Sequence, residues 1–369
     1  MQKIKGIYAA ASIYSETAEA YALAQVKMIC DNEAASGSKI CLMPDIHPGK
    51  AGPIGLTMTV GNRILPALLG SDIGCGISYF KIKNTKIEFQ KLDRIIRENI
   101  PSGSSCRREQ HRYSSDFDFS DLLCAKHIDQ ERAYLSLGTL GGGNHFIELD
   151  QDEEGSLYFA VHSGSRYLGS AVTEYYMKQG QKRLKEKGIS VPYEITWLEG
   201  DLMKAYLNDV HEVQGFAMLN REIMLSEIEK KLKLKPILYG ESIHNYVDEN
   251  MILRKGAAAA YEGDSVIIPI NMCDGVILGY GKGNAEWNFS APHGSGRILA
   301  RNEVRKQHTV SEFKEAMKGI YSSSIGKATL DEAPFAYRSI DEIKNAISDT
   351  VTVEKILKPV YNFKAGGKE

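Results

Sequence analysis

Apolar and polar positions along this chain follow two periods. Residues 15–36 are rich in Ala, Glu and Met at helical spacing and predict a helix. Leu202, Ala205, Tyr206, Asp209, Val210, Val213, Phe216, Ala217, Asn220 and Ile223 recur every three or four positions, which predicts a long helix over 201–233. A second helix is predicted over 170–188, with shorter ones at 311–319 and 340–347. Other stretches read as strands. Residues 39–60 read as strand, glycine loop, strand, and Gly61-Asn62 is a turn signal. Residues 77–84 alternate apolar and polar, and Leu157–Val161 is a short buried strand ending at His162. The polar stretch 101–125, rich in Ser, Arg and Asp, reads as a long exposed loop or insertion. There is no internal repeat and no low-complexity linker. These elements predict one mixed α/β (α+β) domain over 1–369, with central sheets, flanking helices and strands that end in glycine loops. Such loops gather at one rim of a sheet, where ligands bind.

Composition narrows the partners. With 43% hydrophobic residues the chain can build a sizeable core, and its formal net charge of −2 rules out a polycation. Any nucleic-acid contact must then rest on a local positive field. The basic clusters are Arg107-Arg108 with Arg112, Lys182-Arg183 with Lys185 and Lys187, and Arg297, Arg301 and Arg305 with Lys306. Six cysteines occur with no CxxC pair and no disulfide-like spacing. The start Met1-Gln2-Lys3-Ile4-Lys5-Gly6 lacks an apolar signal core, and the longest apolar runs are too short for a bilayer. A reducing cytoplasm and no membrane partner are expected, which leaves Cys75 available as a thiolate ligand.

The chemistry concentrates in the loops. Asp72 and Cys75 lie three apart among Gly70, Gly74 and Gly76, so a tight turn can aim a carboxylate and a thiolate at one ion. His145 follows Gly141-Gly142-Gly143-Asn144, and Glu148 comes three residues later. The Asn144 amide can meet a phosphate or sugar, and Glu148 a base or ribose. His162 opens His162-Ser163-Gly164-Ser165-Arg166, where hydroxyls, backbone N–H groups and the Arg166 guanidinium suit an oxyanion. His244-Asn245 repeats the His and Asn pairing in reverse order. Each histidine alone reads as easily as a satisfied strand-edge residue; the set reads as one metal site. His293 differs. It sits in Pro292-His293-Gly294-Ser295-Gly296-Arg297, with Arg301 one turn further along a presumed helix. A helix N-terminus with two arginines on one side suits phosphate, and positive surroundings favour the neutral, nucleophilic imidazole. His47, in Asp45-Ile46-His47-Pro48-Gly49, reads as a supporting or substrate-facing residue. His111, His127, His211 and His308 read as structural or surface residues.

Together these loops resemble the RtcB family of RNA-splicing ligases. The motifs are Met43 to Gly49, Pro53-Ile54-Gly55, Asp72 to Gly76, Gly143 to Glu148, His162 to Arg166, His244-Asn245, His293 to Arg297, and Asp331 to Tyr337. Lys364 stands where the family keeps a C-terminal lysine. The match runs in family order from about residue 40 to the end. The resemblance implies a GTP- and Mn²⁺-dependent ligase that joins RNA ends bearing a 2′,3′-cyclic phosphate or 3′-phosphate to 5′-hydroxyl ends. It implies His293 as the residue that takes up GMP. It implies Asp72, Cys75, His145, His162 and His244 as ligands of two manganese ions, with Cys75 bridging. Asn144, Glu148, Asn245, Tyr337 and Lys364 become guanylate-site residues, and Arg166, Arg297, Arg301, Asp45 and His47 phosphate- or RNA-facing ones. Two segments depart from the family: Gly49-Lys50-Ala51-Gly52, and Asn271-Met272-Cys273-Asp274-Gly275, where members keep a serine that contacts guanine. The chain is also shorter than many members. That fits a divergent paralogue devoted to repairing particular broken RNAs, with an activating or release-factor-like protein as a partner. Two readings of other kinds stay open: a metal-dependent cyclic phosphodiesterase or phosphatase without ligation, and a catalytically silent RNA-binding module.

Overall fold

The computed structural model describes residues 2–365. Seven successive buried positions in the strand Lys39–His47 explain its central place: both faces are covered. It anchors a six-stranded sheet in the order Gln2–Lys5, Ala10–Ile13, Lys39–His47, Ile54–Thr59, Ile252–Lys255 and Asn245–Val247. Ala10–Ile13 pairs with Lys39–His47 in parallel; the other pairings are antiparallel. The register against Ile54–Thr59 shifts between Leu42 and His47. Pro44 lies inside that break, where its missing N–H costs no ladder bond.

A seven-stranded antiparallel sheet follows the order Leu238–Ile243, Gly76–Ile82, Leu157–Ser163, Phe146–Gln151, Val351–Phe363, Gly275–Gly281 and Ser265–Asn271. One face carries Phe80, Ile147, Leu149, Phe159, Val161 and Tyr361, packed on Leu92 and Ile96 of the helix Phe89–Asn99 and on Met224 and Ile228. On the other face Ile77, Tyr79, Phe146 and Ala160 meet Ile267, Val276 and Leu278.

The helix Gly200–Leu232 ties the two sheets together. Its 33 residues span about 50 Å at 1.5 Å per residue. Val210, Val213 and Phe216 enter the core that holds Leu42, Leu56 and Met58, while Met224, Leu225 and Ile228 enter the core of the second sheet. Between these apolar stretches the helix buries Asn220 and Arg221 completely. Arg221 donates to the Gly74 and Ser163 carbonyls and to Ser78 Oγ, and pairs with Glu241 at 2.7 Å. Asn220 donates to the carbonyls of Thr139 and Gly164. One helix turn thus holds the loops that carry Cys75, His145 and His162.

The helices expected from periodicity form at Arg166–Glu186, Gly200–Leu232, Val310–Ala316 and Ile340–Ala346. The first is shorter than expected, Ala20–Cys30, with a separate 3-10 turn at Glu33–Ala35. The segment expected over 101–125 as a long exposed loop is mostly exposed but is anchored at a few buried positions. It lacks long helices or strands, but Phe117, Phe119, Leu122 and Cys124 are buried in the main core. Asp209 of the long helix accepts the Leu123 and Cys124 amides and the Tyr176 hydroxyl, which pins the segment down. Among the described residues no helix is long and apolar enough to cross a membrane.

Candidate active site

Four neighbouring strands of the second sheet bring their ends to one rim. Gly76 pairs with both Ile243 and Ser163, and Phe146 pairs with His162. His244, Cys75, His162 and His145 therefore follow one another across adjacent strands, at a spacing near 4.8 Å. The donor atoms converge further. Cys75 Sγ lies 3.3 Å from His162 Nε2 and 3.5 Å from His145 Nε2. His162 Nε2 lies 3.2 Å from His244 Nε2, and His145 Nε2 lies 3.5 Å from Asp72 Oδ2. Two groups result, Cys75 with His162 and His244, and Asp72 with Cys75 and His145; within each, all donor atoms lie within 4.8 Å of one another. Cys75 belongs to both.

The surroundings prepare these atoms for a cation. His145 Nδ1 bonds the Leu140 carbonyl at 2.8 Å and His162 Nδ1 the Asn144 carbonyl at 3.2 Å, which places the ring protons there and turns the Nε2 lone pairs inward. Burial, then the neighbouring imidazoles, hold His162 and His244 well below the ordinary histidine range, so both stay neutral. Burial and the Asp72 charge push the Cys75 thiol up, so its proton leaves when a metal arrives. Lone pairs facing one another at 3.2–3.5 Å repel unless an ion lies between them, and this donor set fits one. Glycine is required close by: a Cβ on Gly164 would stand 2.0 Å from Asp72 Oδ1.

The rim opens into a cavity of about 950 Å³. His293, half-buried, lines it and lies beside His244, ring centroids 4.8 Å apart. Gly256 lets the ring in, since a Cβ there would approach His293 Cε1 to 3.1 Å. Here the sequence-based reading is corrected twice. The string 293–300 is irregular, with helix only from Arg301 to Gln307, so His293 does not sit at a helix N-terminus and Arg297 and Arg301 do not share a helix face. The group touching the imidazole is Asp45, whose Oδ2 lies 2.7 Å from His293 Nδ1. Asp45 is fully buried, so it orients His293 instead of facing RNA. His47 does line the cavity, its Nδ1 bonded to the Asp45 carbonyl at 2.8 Å.

A second polar group lines the same cavity. Glu332 is buried and accepts from Lys364 Nζ at 2.9 Å and Tyr337 Oη at 2.6 Å, with Arg301 and Arg297 on its other oxygen. Burial would raise this carboxyl, but the Lys364 and Arg301 charges bring it down to about 2. Glu148 and Asn144 also line the cavity. Asn245 lines it but is occupied: its amide donates to the Asp72 carbonyl and accepts from Gly256 N, which makes it a brace for two loops. Arg166 is not brought in. Its guanidinium crosses Gly141 and donates toward Thr139 Oγ1 and the Gly103 carbonyl. Sequence reasoning missed Lys255. It is buried, forms no salt bridge among the described residues and reaches the cavity, and burial pushes its ammonium down to about 8. The available signal was Lys255 standing directly before Gly256 at the end of Ile252–Lys255. It also missed Glu332, whose place in the quoted Asp331–Tyr337 segment was the available clue.

This fold and rim define a class of protein: an α+β chain with two candidate metal-donor groups sharing Cys75 at the edge of an antiparallel sheet, opening on a cavity lined by charges of both signs. Comparison with known sequences narrows the class to one family. The profile described as "tRNA-splicing ligase RtcB" matches residues 33–123 and 109–365. RNA-splicing ligase RtcB1 of Escherichia coli is 31% identical over 366 residues, 88% of this chain and 90% of that protein. RNA-splicing ligase RtcB2 of the same species is 27% identical, covering 89% and 88%. tRNA-splicing ligase RtcB of Aeropyrum pernix is 24% identical over 82% of each chain. The chain belongs to the RtcB family.

Proposed function

We propose that this protein is an RNA ligase that uses GTP and manganese to join a 2′,3′-cyclic phosphate or 3′-phosphate RNA end to a 5′-hydroxyl end, in RNA repair or tRNA splicing. The relatives named as RNA- and tRNA-splicing ligases support the substrate class. The observation that carries the reading is the His293–Asp45 pair beside two donor groups that share Cys75. The carboxylate holds the proton on Nδ1, so Nε2 keeps the lone pair. That nitrogen attacks the α-phosphorus of GTP; a P–N bond forms and pyrophosphate leaves. The RNA 3′-phosphate, released by hydrolysis where the end is cyclic, then attacks the same phosphorus and returns the electron pair to His293. Finally the 5′-hydroxyl attacks the RNA phosphate and expels GMP. Lys255, without a salt bridge among the described residues, is suited to hold a phosphate, and Glu148 to hold the nucleoside, with Lys364 beside it on Glu332. Two ions, bound by Asp72, Cys75 and His145 and by Cys75, His162 and His244, would neutralise charge on the transferring phosphorus. By affinity this N, O and S donor set favours zinc over manganese, so manganese rests on availability in the cell.

The test is incubation with α-labelled GTP and Mn²⁺, followed by denaturation. Acid-labile label on the wild type, and none on His293→Ala, is the expected result. Hydrolysis of a cyclic phosphate end with no label and no joining would replace this reading by a phosphodiesterase.

A further inference from the structure

Two adjacent buried side chains in the cavity have polar atoms with no partner among the described residues. Glu148 Oε1 has none, and neither Oδ1 nor Nδ2 of Asn362 has one. Glu148 is 3% exposed and Asn362 1%, yet both line the cavity. They stand opposite each other where Phe146–Gln151 pairs with Val351–Phe363, so they share one face of the sheet. Folded proteins rarely leave such groups unmatched, and in a cavity a water, an ion or a ligand matches them. Lys364 is committed to Glu332. Across the cavity the Asn271 amide is spent inside its own loop, on Cys273 N, Asp274 N and the Asp274 carboxylate. That loop therefore offers the nucleotide little, and base recognition must come from elsewhere.

Resting on the nucleotidyl-transfer reading above, we propose that Asn362, together with Glu148, reads the purine edge of the nucleotide, its Oδ1 accepting from the 2-amino group of guanine. The donor count leads there. A carboxylate accepts two neighbouring N–H groups, and guanine presents N1–H and one 2-amino hydrogen side by side. The second 2-amino hydrogen then needs another acceptor, which the Asn362 amide supplies. Hypoxanthine lacks the 2-amino group and leaves Asn362 unmatched. Adenine turns a lone pair at N1 toward the carboxylate and is rejected more strongly. Asp150, fully buried two residues from Glu148 on the same strand, supports this. Burial raises both carboxyls; the Lys364 charge and the Asp150 contact hold Glu148 back to about 7, while the Glu148 charge pushes Asp150 further up, so Asp150 keeps the proton and the ionised form falls to Glu148.

Titration calorimetry of the full chain with GMP, IMP and AMP tests the proposal. Wild type should bind GMP at least about tenfold tighter than IMP, with AMP weakest. Asn362→Leu, nearly isosteric, should bring GMP down to the IMP level while IMP binding stays within about twofold. Equal binding of GMP and IMP by wild type, or an undiminished GMP preference in Asn362→Leu, overturns the role of Asn362. The wild-type comparison removes the same contact from the ligand side, so it decides even if the variant does not fold. If no nucleoside triphosphate labels the wild type, the nucleotidyl reading fails and this proposal with it; equal labelling by GTP and ITP removes base reading alone.

Discussion

Replacing Asp45 by Asn probes the arrangement of His293 more sharply than replacing the histidine itself. Asp45 Oδ2 lies 2.7 Å from His293 Nδ1, and the carboxylate is fully buried. A carboxylate only accepts hydrogen bonds, so it fixes the proton on Nδ1 and leaves Nε2 nucleophilic. An amide of the same volume can turn its N–H toward Nδ1. The imidazole then carries its proton on Nε2, where attack must occur. In an Asp–His pair of this kind the inverted tautomer lowers the rate by about 10⁴, equivalent to about 5.5 kcal/mol of activation free energy. Stability should change by only about 1–3 kcal/mol, since one hydrogen bond is altered and no cavity is created. Single-turnover transfer of label from α-labelled GTP to the protein measures the rate, and a thermal melt confirms that the variant is folded. A folded Asp45→Asn protein that labels within about threefold of the wild-type rate would refute the tautomer mechanism.

Cys75→Ala removes the donor common to both groups, so elemental analysis after Mn²⁺ loading and dialysis should find fewer ions than in wild type; an unchanged count would show that Cys75 is no ligand. Lys255→Met should stabilise the fold while weakening nucleotidyl transfer. Its ammonium is depressed from the ordinary lysine value to about 8, so below pH 8 the folded state carries a penalty of about 3 kcal/mol. Denaturant unfolding at pH 7 reads this, and a less stable variant would contradict it. Glu332 has its carboxyl lowered to about 2, so the stabilisation is complete above the unfolded value near 4.5 and fades as pH falls toward 2. Acid unfolding of wild type should thus be steeper across that window than in Glu332→Gln, by about 3 kcal/mol in total; parallel curves would mean that Glu332 is not charged in the fold. RNA affinity should fall linearly with added salt on logarithmic axes, through counterion release; a flat response would count against phosphate contacts.

The long helices were legible because a burial stripe every 3.6 residues is a local signal. The donors were legible for a different reason: His, Cys and Asp among glycines are rare enough in combination to mark a site wherever the chain goes. Arg297 shows where local reading stops. Its spacing from Arg301 looked helical, but the chain between them is irregular, and the two meet only because both reach the Asp331-Glu332 segment. Phe117 and Phe119 make the same point, since polar neighbours hid apolar anchors that Asp209 fastens from more than 80 residues away.

By itself, then, the amino-acid order determined the period of each long element, the identity of the reactive side chains and the glycines that let them crowd together. Folding alone decided which of them meet. The strand order that sets His244, Cys75, His162 and His145 along one rim joins residues up to 170 positions apart, and pairing at that distance leaves no periodic trace. Only the fold could show that Asp45 faces a histidine, that Lys255 is buried at the cavity wall, and that Asn362 stands beside Glu148 without a partner among the described residues. The physical reason is that periodicity reports burial of each segment, whereas the partner of a buried polar group is fixed by packing between segments.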